Sequence, residues 1–208
     1  MNQQTALLGA ASVAAALLVR QGYEVTGAFM VNYDDTDDAN HANKSYGECW
    51  IHDYRDAVRV AAQLGIPLLR LDFTKEYKKY VLNYMYREYE AGRTPNPDVL
   101  CNKFVKFGAW LEKAKELGFD KLATGHYGKI INHKSEIINH KNRSLFTHHW
   151  SLVTAKDIHK DQTYFLHQLS QQQLRYTLFP IGDYTKSEVR KLAKKFTLPT
   201  AQKEESMG

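Results

Sequence analysis

The sequence is poor in the residues that would settle its class quickly. It has two cysteines in 208 residues, Cys49 and Cys101. They are too far apart for a zinc pattern and too few for a disulfide framework, so a reducing cytoplasm suits them best. No sign of charge dominates: 28 Lys and Arg stand against 23 Asp and Glu, a net +5. That surplus permits a polyanionic partner, and serves equally well as a solubilising surface. A hydrophobic run long enough to cross a membrane is also absent. The longest candidate, TALLGAASVAAALLVRQGYEV at residues 5 to 25, falls short of the roughly 20 apolar residues a span requires. Nor does it suit a secretory signal: MNQQT carries no Lys or Arg, and Ala14 to Ala16 lie inside the run, with no small-residue cleavage site after it. What is present is 43% hydrophobic residues, enough to bury the core of one domain, or of one domain plus a fragment.

Along the chain, strand signals alternate with helix signals. The Ala-rich segment 11 to 21 predicts a helix ending before Gly22, and EVTGAFMV (24 to 31) predicts a buried strand. Residues 32 to 48 are polar, acidic and aperiodic, as a loop is. A helix is expected from Trp50 to Leu64, a strand at 68 to 73, and a helix over 74 to 90 with Thr74 as its N-cap. After the two prolines of AGRTPNPDVLCNKFVKF (91 to 107) a further helix runs to Leu117, and KLATGH (121 to 126) is a short strand. IINHKSEIINHKNRS (130 to 144) repeats I-I-N-H-K within itself and is expected to be a hairpin insertion. One more strand-like stretch follows, then a helix near 169 to 177, the turn FPIGDY, and a basic helix over 185 to 196. This order specifies an α/β fold, a Rossmann-like parallel sheet with helices on both faces, followed by a short helical extension. The expected division is 1–167 and 168–208.

In such a sheet, ligands bind beyond the carboxyl ends of the strands. That rule selects Gly9 to Ser12, Met30 to Tyr33, and Thr124, Gly125 and His126, with the 91 to 101 loop able to fold over the same edge. Cys101 opens a helix, with Lys103 and Lys106 nearby and Asp98 three residues before it. Helix starts and cations favour thiolate, and Asp98 is placed to exchange a proton. An inert buried cysteine beside a capping Asp fits the same residues. Cys49 has no such neighbours and reads as structural. Lys186, Arg190, Lys191, Lys194 and Lys195 suit phosphate contact or a solvated helix face equally well.

The stretch AGRTPNPDVLCNKFVKFGAWLEKAKELGFDKLATGHY resembles the most distinctive block of the tRNA-specific 2-thiouridylase family. HKDQTYFL, LFPIGDYTKSEVRKLAKKFTLPTA and QGYEVTGAFM resemble its other blocks, in the same order. The resemblance implies an adenine nucleotide alpha hydrolase-like, N-type ATP pyrophosphatase domain. It would use ATP and Mg²⁺ to adenylate the C2 oxygen of the wobble uridine of tRNA, after which a cysteine persulfide delivers sulfur. Carried onto this chain, Asn96, Pro97 and Asp98 would contact the target base, with Asp98 as acid/base. Cys101 would be the nucleophile that attacks the persulfide or pairs with its donor protein. Gly9, Ser12, Met30 and Gly125 would serve ATP, and His126, Lys160, Asp161 and Gln162 would meet tRNA. No metal-ligand set and no membrane partner are implied.

The chain departs from that pattern in two places. The family's first strand leads into an S-G-G-x-D-S loop whose backbone N–H groups wrap pyrophosphate. LLGAASVAAALL keeps the strand, Gly9, Ser12 and the helix but lacks about five loop residues, including the glycine pair and the Asp. The persulfide cysteine, expected shortly after KEESMG, has no counterpart in the 208 residues. An inactive α/β module that binds nucleotide or tRNA is therefore the alternative expectation. An amidating ligase of the same fold would leave TPNPDVLCN unexplained.

Overall fold

A computed structural model of the chain describes residues 5–8, 12–33, 49–138 and 144–203. The order is β1 (Thr5–Leu8), α1 (Ser12–Arg20), β2 (Glu24–Val31), α2 (Cys49–Leu64), β3 (Leu68–Asp72) and α3 (Thr74–Tyr77). A π turn (Lys78–Leu82) then runs into α4 (Asn83–Glu90), and α5 (Pro97–Leu100) into a π-helical segment (Cys101–Ala109) and α6 (Trp110–Glu116). After these come β4 (Lys121–Ala123), β5 (Lys129–Ile138), β6 (Ser144–Val153), α7 (Thr163–Leu166), α8 (Gln171–Tyr176), β7 (Thr177–Leu178) and α9 (Lys186–Lys195).

β3, β2, β1, β4 and β7 form one sheet in that spatial order, and every pairing is parallel. Parallel strands need crossovers, and helices supply them on both faces. Successive strand residues point to opposite faces, and β4 shows the result. Leu122 joins Val81, Val105, Phe107, Trp110 and Leu111 in one core cluster, whereas Ala123 joins Ala14, Leu18 and Val25 in the other. α1 ends where Gly22 takes φ +87°, a conformation that costs glycine little. β1 lies in the middle of the sheet, paired with β2 and β4 on either side, Leu8 in register with Gly27 and Ala123.

Four local expectations are corrected. Thr74 is not the N-cap: it is the first helical residue, and Asp72 Oδ1 accepts from both its N–H (2.9 Å) and its hydroxyl (2.8 Å). The helix expected over 74 to 90 contains a π turn, and the one after Pro97 is π-helical from Cys101 to Ala109. The last residue of the helix expected near 169 to 177 is instead the first of β7, an edge strand of the main sheet. The hairpin is longer than the repeat: β5 and β6 pair antiparallel from Lys129↔Val153 to Ile138↔Ser144, as a separate two-stranded sheet. Residues beyond 168 thus supply β7 to the sheet, and α9 lies against α1, with Ala193 and Leu198 in the same buried cluster. Most of the acidic loop, residues 34–48, lies outside the described residues.

Candidate active site at the carboxyl edge of the sheet

α5 begins at Asn96, whose Oδ1 accepts from Val99 N–H at 3.3 Å, with Pro97 at the first helical position. Both choices satisfy or remove donors that a helix start leaves unpaired. The cap leaves Asn96 and Asp98 exposed and turns Cys101 inward, to 7% exposure. From Cys101 the chain is wound as a π-helix, with hydrogen bonds from residue i+5 back to residue i. Lys106 lies near enough for its charge to act on Cys101. An amide from α8 serves the widened turns: Gln173 Nε2 donates to the carbonyls of Lys103 (3.2 Å) and Phe107 (2.7 Å).

The expectation of a thiolate-favouring Cys101 is overturned. Burial pushes its thiol above the ordinary value and Asp98 adds to that, while Lys106 alone opposes them. Cys101 is not exposed at a helix start; it is one turn inside, where desolvation outweighs the cation. Tyr77 faces the same group, its phenol pushed up by burial and by the charges of Cys101 and Asp98.

His126 follows β4 and sits between Phe107 and Phe179, each ring 5.8 Å from it, with Nδ1 2.8 Å from Thr124 Oγ1. Burial first, and then Lys106, push its pKa from 6.5 to about 3. The ring is neutral at physiological pH. Lys106 is close enough to act on both His126 and Cys101, so these three, with Asp98 and Tyr77, form one cluster. Lys106 beside Cys101 is expected from the sequence; that the same cation also acts on His126, on another element, is not.

The 160–162 segment reaches the same edge by another route. Asp161 accepts from Ala155 N–H (2.8 Å) and from the Thr163 hydroxyl (2.5 Å), and Gln162 Oε1 accepts from Tyr127 N–H (3.0 Å). Gln162 N–H in turn donates to Tyr127 O at 2.8 Å. Asp161 and Gln162 thus use their side-chain oxygens to hold their own loop against the residue after His126, and only Lys160 of the three is exposed. The next loop comes close enough that a side chain at Gly182 would collide with the Gly128 carbonyl.

Among the ATP residues, Met30 lies opposite Leu71 near the end of β2 and packs on the face that carries the π-helical segment. Gly125 directly precedes His126. Ser12 starts α1, and its hydroxyl is 2.8 Å from that of Thr200. Gly9 lies outside the described residues. Cys49 starts α2, and its side chain lies outside them too. Among the described residues no group of three or more His, Cys, Asp or Glu could hold a metal ion, and no helix is long and apolar enough to cross a membrane.

The five-stranded parallel sheet with helices on both faces is an α/β fold of the HUP, adenine nucleotide alpha hydrolase-like kind, and the matches that follow give it that class. The NMN synthetase structure from Francisella tularensis shares the fold: TM-score 0.50 at 14% identity, over 99% of this chain and 67% of that one. The family model for the tRNA methyl transferase HUP domain matches residues 9–208, and the chain belongs to that family. It is 47% identical over 197 residues to the tRNA-specific 2-thiouridylase MnmA of Lysinibacillus sphaericus (strain C3-41), covering 95% of this chain and 48% of that protein. Against the proteins of the same name from Limosilactobacillus reuteri (strain DSM 20016) and Staphylococcus aureus (strain JH9), identity is 45% and 46%, with the same coverage. The chain thus spans about half the length of the curated relatives it matches.

Proposed function

We propose that the chain is the nucleotide-handling domain of a tRNA 2-thiouridylase, a sulfurtransferase that thiolates the wobble uridine, in a form whose phosphate loop is shortened. One observation carries the reading: Lys106 acts on both Cys101 and His126 and Asp98 on Cys101, so these groups lie near one another beside β4, with Gln162 bonded to the residue after His126. ATP, as co-substrate, supplies the activation that makes the uridine C2 oxygen a leaving group. Mg²⁺ would enter on the nucleotide, since it is commonly held by phosphates and waters and needs no protein cage. Met30 and Gly125 would line the adenosine pocket, and Lys160 would contact tRNA.

Within this reading the chain's own groups divide the work. His126 is uncharged, so it meets RNA or nucleotide as a hydrogen-bonding group and not as a cation. Asp98 is exposed and able to reach a substrate base. Cys101 is held towards the thiol by burial, against the pull of Lys106. The sulfur would come from a persulfide donor protein, in the cytoplasm.

A specific observation supports the second reading, an inactive binding module: only residues 9–11 join β1 to α1. The experiment uses the chain as it stands and a variant in which an S-G-G-x-D-S loop replaces Ala11, leaving Gly9 and Ser12 in place, each with ATP, Mg²⁺, a sulfur donor and wobble-uridine tRNA. The restored loop is expected to yield tRNA-dependent exchange of pyrophosphate into ATP. The chain as it stands is expected to give no exchange and no 2-thiouridine by mass spectrometry. Appreciable 2-thiouridine from the unaltered chain would overturn the role given to the loop. A loop-restored chain that neither binds tRNA nor exchanges pyrophosphate would overturn the thiouridylase reading itself.

A further inference from the structure

Tyr164 is 59% exposed although it belongs to a short helix that is fastened on every side. Asp161 accepts from the Thr163 hydroxyl at the start of α7, and Phe165 N–H donates to Gln162 O at 3.0 Å. His167 Nδ1 lies 2.8 Å from the Tyr164 carbonyl. The Phe165 carbonyl accepts from Nδ2 of Asn102, a residue only 3% exposed in the π-helical segment. The next side chain, Leu166, is buried at 1%. A ring on a mobile loop turns away from water at little cost; a ring whose backbone is tied at these points does not. The Phe165 ring lies against one face of it, with centroids 3.9 Å apart and planes tilted by 37°. The exposed remainder of the Tyr164 ring makes an aromatic ledge.

The ledge is next to the candidate site, because α7 packs against both α5 and the π-helical segment, which carry Asn96, Asp98 and Cys101. Along its own loop His159 and Lys160 precede it and His167 follows, and the carboxylate of Asp161 is used inside the fold, while Asp98 on the neighbouring α5 is the exposed carboxylate close by. An exposed aromatic ring on an anchored backbone, with Lys160 beside it, fits a single flat, uncharged ring joined to phosphates. Single-stranded RNA presents such rings, and unpaired bases stack on aromatic side chains. A protein partner would need a buried area of roughly 800 Å² per side, far more than one ledge offers.

We propose that Tyr164 is a stacking platform for an unpaired nucleobase of the RNA substrate, neighbouring the base that enters beside Asp98. The inference rests on the tRNA reading above and adds a residue, a contact type and a position to it. The platform would hold the anticodon loop open and in register, while Lys160 would contribute a sequence-independent phosphate contact.

The test uses the chain and an anticodon stem-loop with a wobble uridine, in which 2-aminopurine replaces one loop nucleotide at a time. Stacking on Tyr164 is expected to quench the fluorophore at one position next to the wobble base. Tyr164→Leu keeps an apolar side chain of similar reach but no π face. It should abolish that quenching and weaken binding by roughly 5- to 150-fold, while Tyr164→Trp should retain both. Lys160→Ala should weaken binding and flatten its salt dependence, yet leave the quenching at saturation intact. Thermal melts of each variant report whether α7 has stayed folded. Unchanged quenching and affinity in Tyr164→Leu would overturn the platform and leave the tRNA reading standing. Failure of the parent chain to bind the stem-loop at millimolar concentration would overturn both.

Discussion

His126 offers a quantitative check on the site because its protonation is tied to folding. In the native chain its pKa is about 3, against 6.5 for a free ring. Between those values the unfolded chain binds a proton that the native chain refuses, so stability is present above pH 6.5 and is lost as pH falls. Each pH unit below 6.5 costs about 1.36 kcal/mol. From pH 7 to pH 4.5 the loss from this one residue is about 2.5 kcal/mol, a large share of a stability of about 5–15 kcal/mol. His126→Gln places an uncharged amide between Phe107 and Phe179, near Thr124, and removes the titration. Urea unfolding of both proteins at the two pH values isolates the effect, since every other titrating group cancels in the difference. The parent is expected to lose about 2.5 kcal/mol more than His126→Gln. Parallel losses would refute the claim that this ring is desolvated and neutral.

Two further outcomes follow from the same cluster. Cys101, 7% exposed and with its thiol pushed up, should be alkylated by iodoacetamide at pH 7 at least about tenfold more slowly than free cysteine, read by peptide mass spectrometry. Lys106→Met should slow it further and Asp98→Asn should speed it; a parent rate equal to that of free cysteine would refute the burial. ATP with Mg²⁺ should bind only weakly in calorimetry, because three residues between β1 and α1 supply few backbone donors for phosphate, and a dissociation constant in the low micromolar range would contradict this.

Alternation of apolar runs and amphipathic segments was enough to locate β1 to β4 and the helices between them, because strands buried on both faces are apolar throughout. The carboxyl-edge rule then pointed to Met30, Gly125 and His126 without any contact being known. What the residues could not reveal was set by tertiary partners. β7 is two residues long and exists because β4 pairs with it, Leu122 to Thr177 and Ala123 to Leu178. The π-helical winding of 101–109 gave no periodic signal, and neither did the bonds from Gln173 on α8 to two of its carbonyls. Asp161 and Gln162 look like surface polar residues in sequence, and only the folded loop shows their oxygens facing inward.

The opening apolar run has the same kind of explanation. β1 is held in register on both sides, by β2 and by β4, and α1 is fixed by Ala14, Leu17 and Leu18 in the core. Neither element can slide to make up for a lost loop without moving its whole buried face, because a one-residue slip of a strand exchanges its two faces. Only residues 9–11 join the two elements, and that is why strand and helix read as one continuous hydrophobic stretch. The packed interior depends on the strand and the helix, whereas in the proposed function phosphate binding would depend on the donors between them. A chain with so short a connection would therefore keep its core while, on that proposal, binding nucleotide poorly.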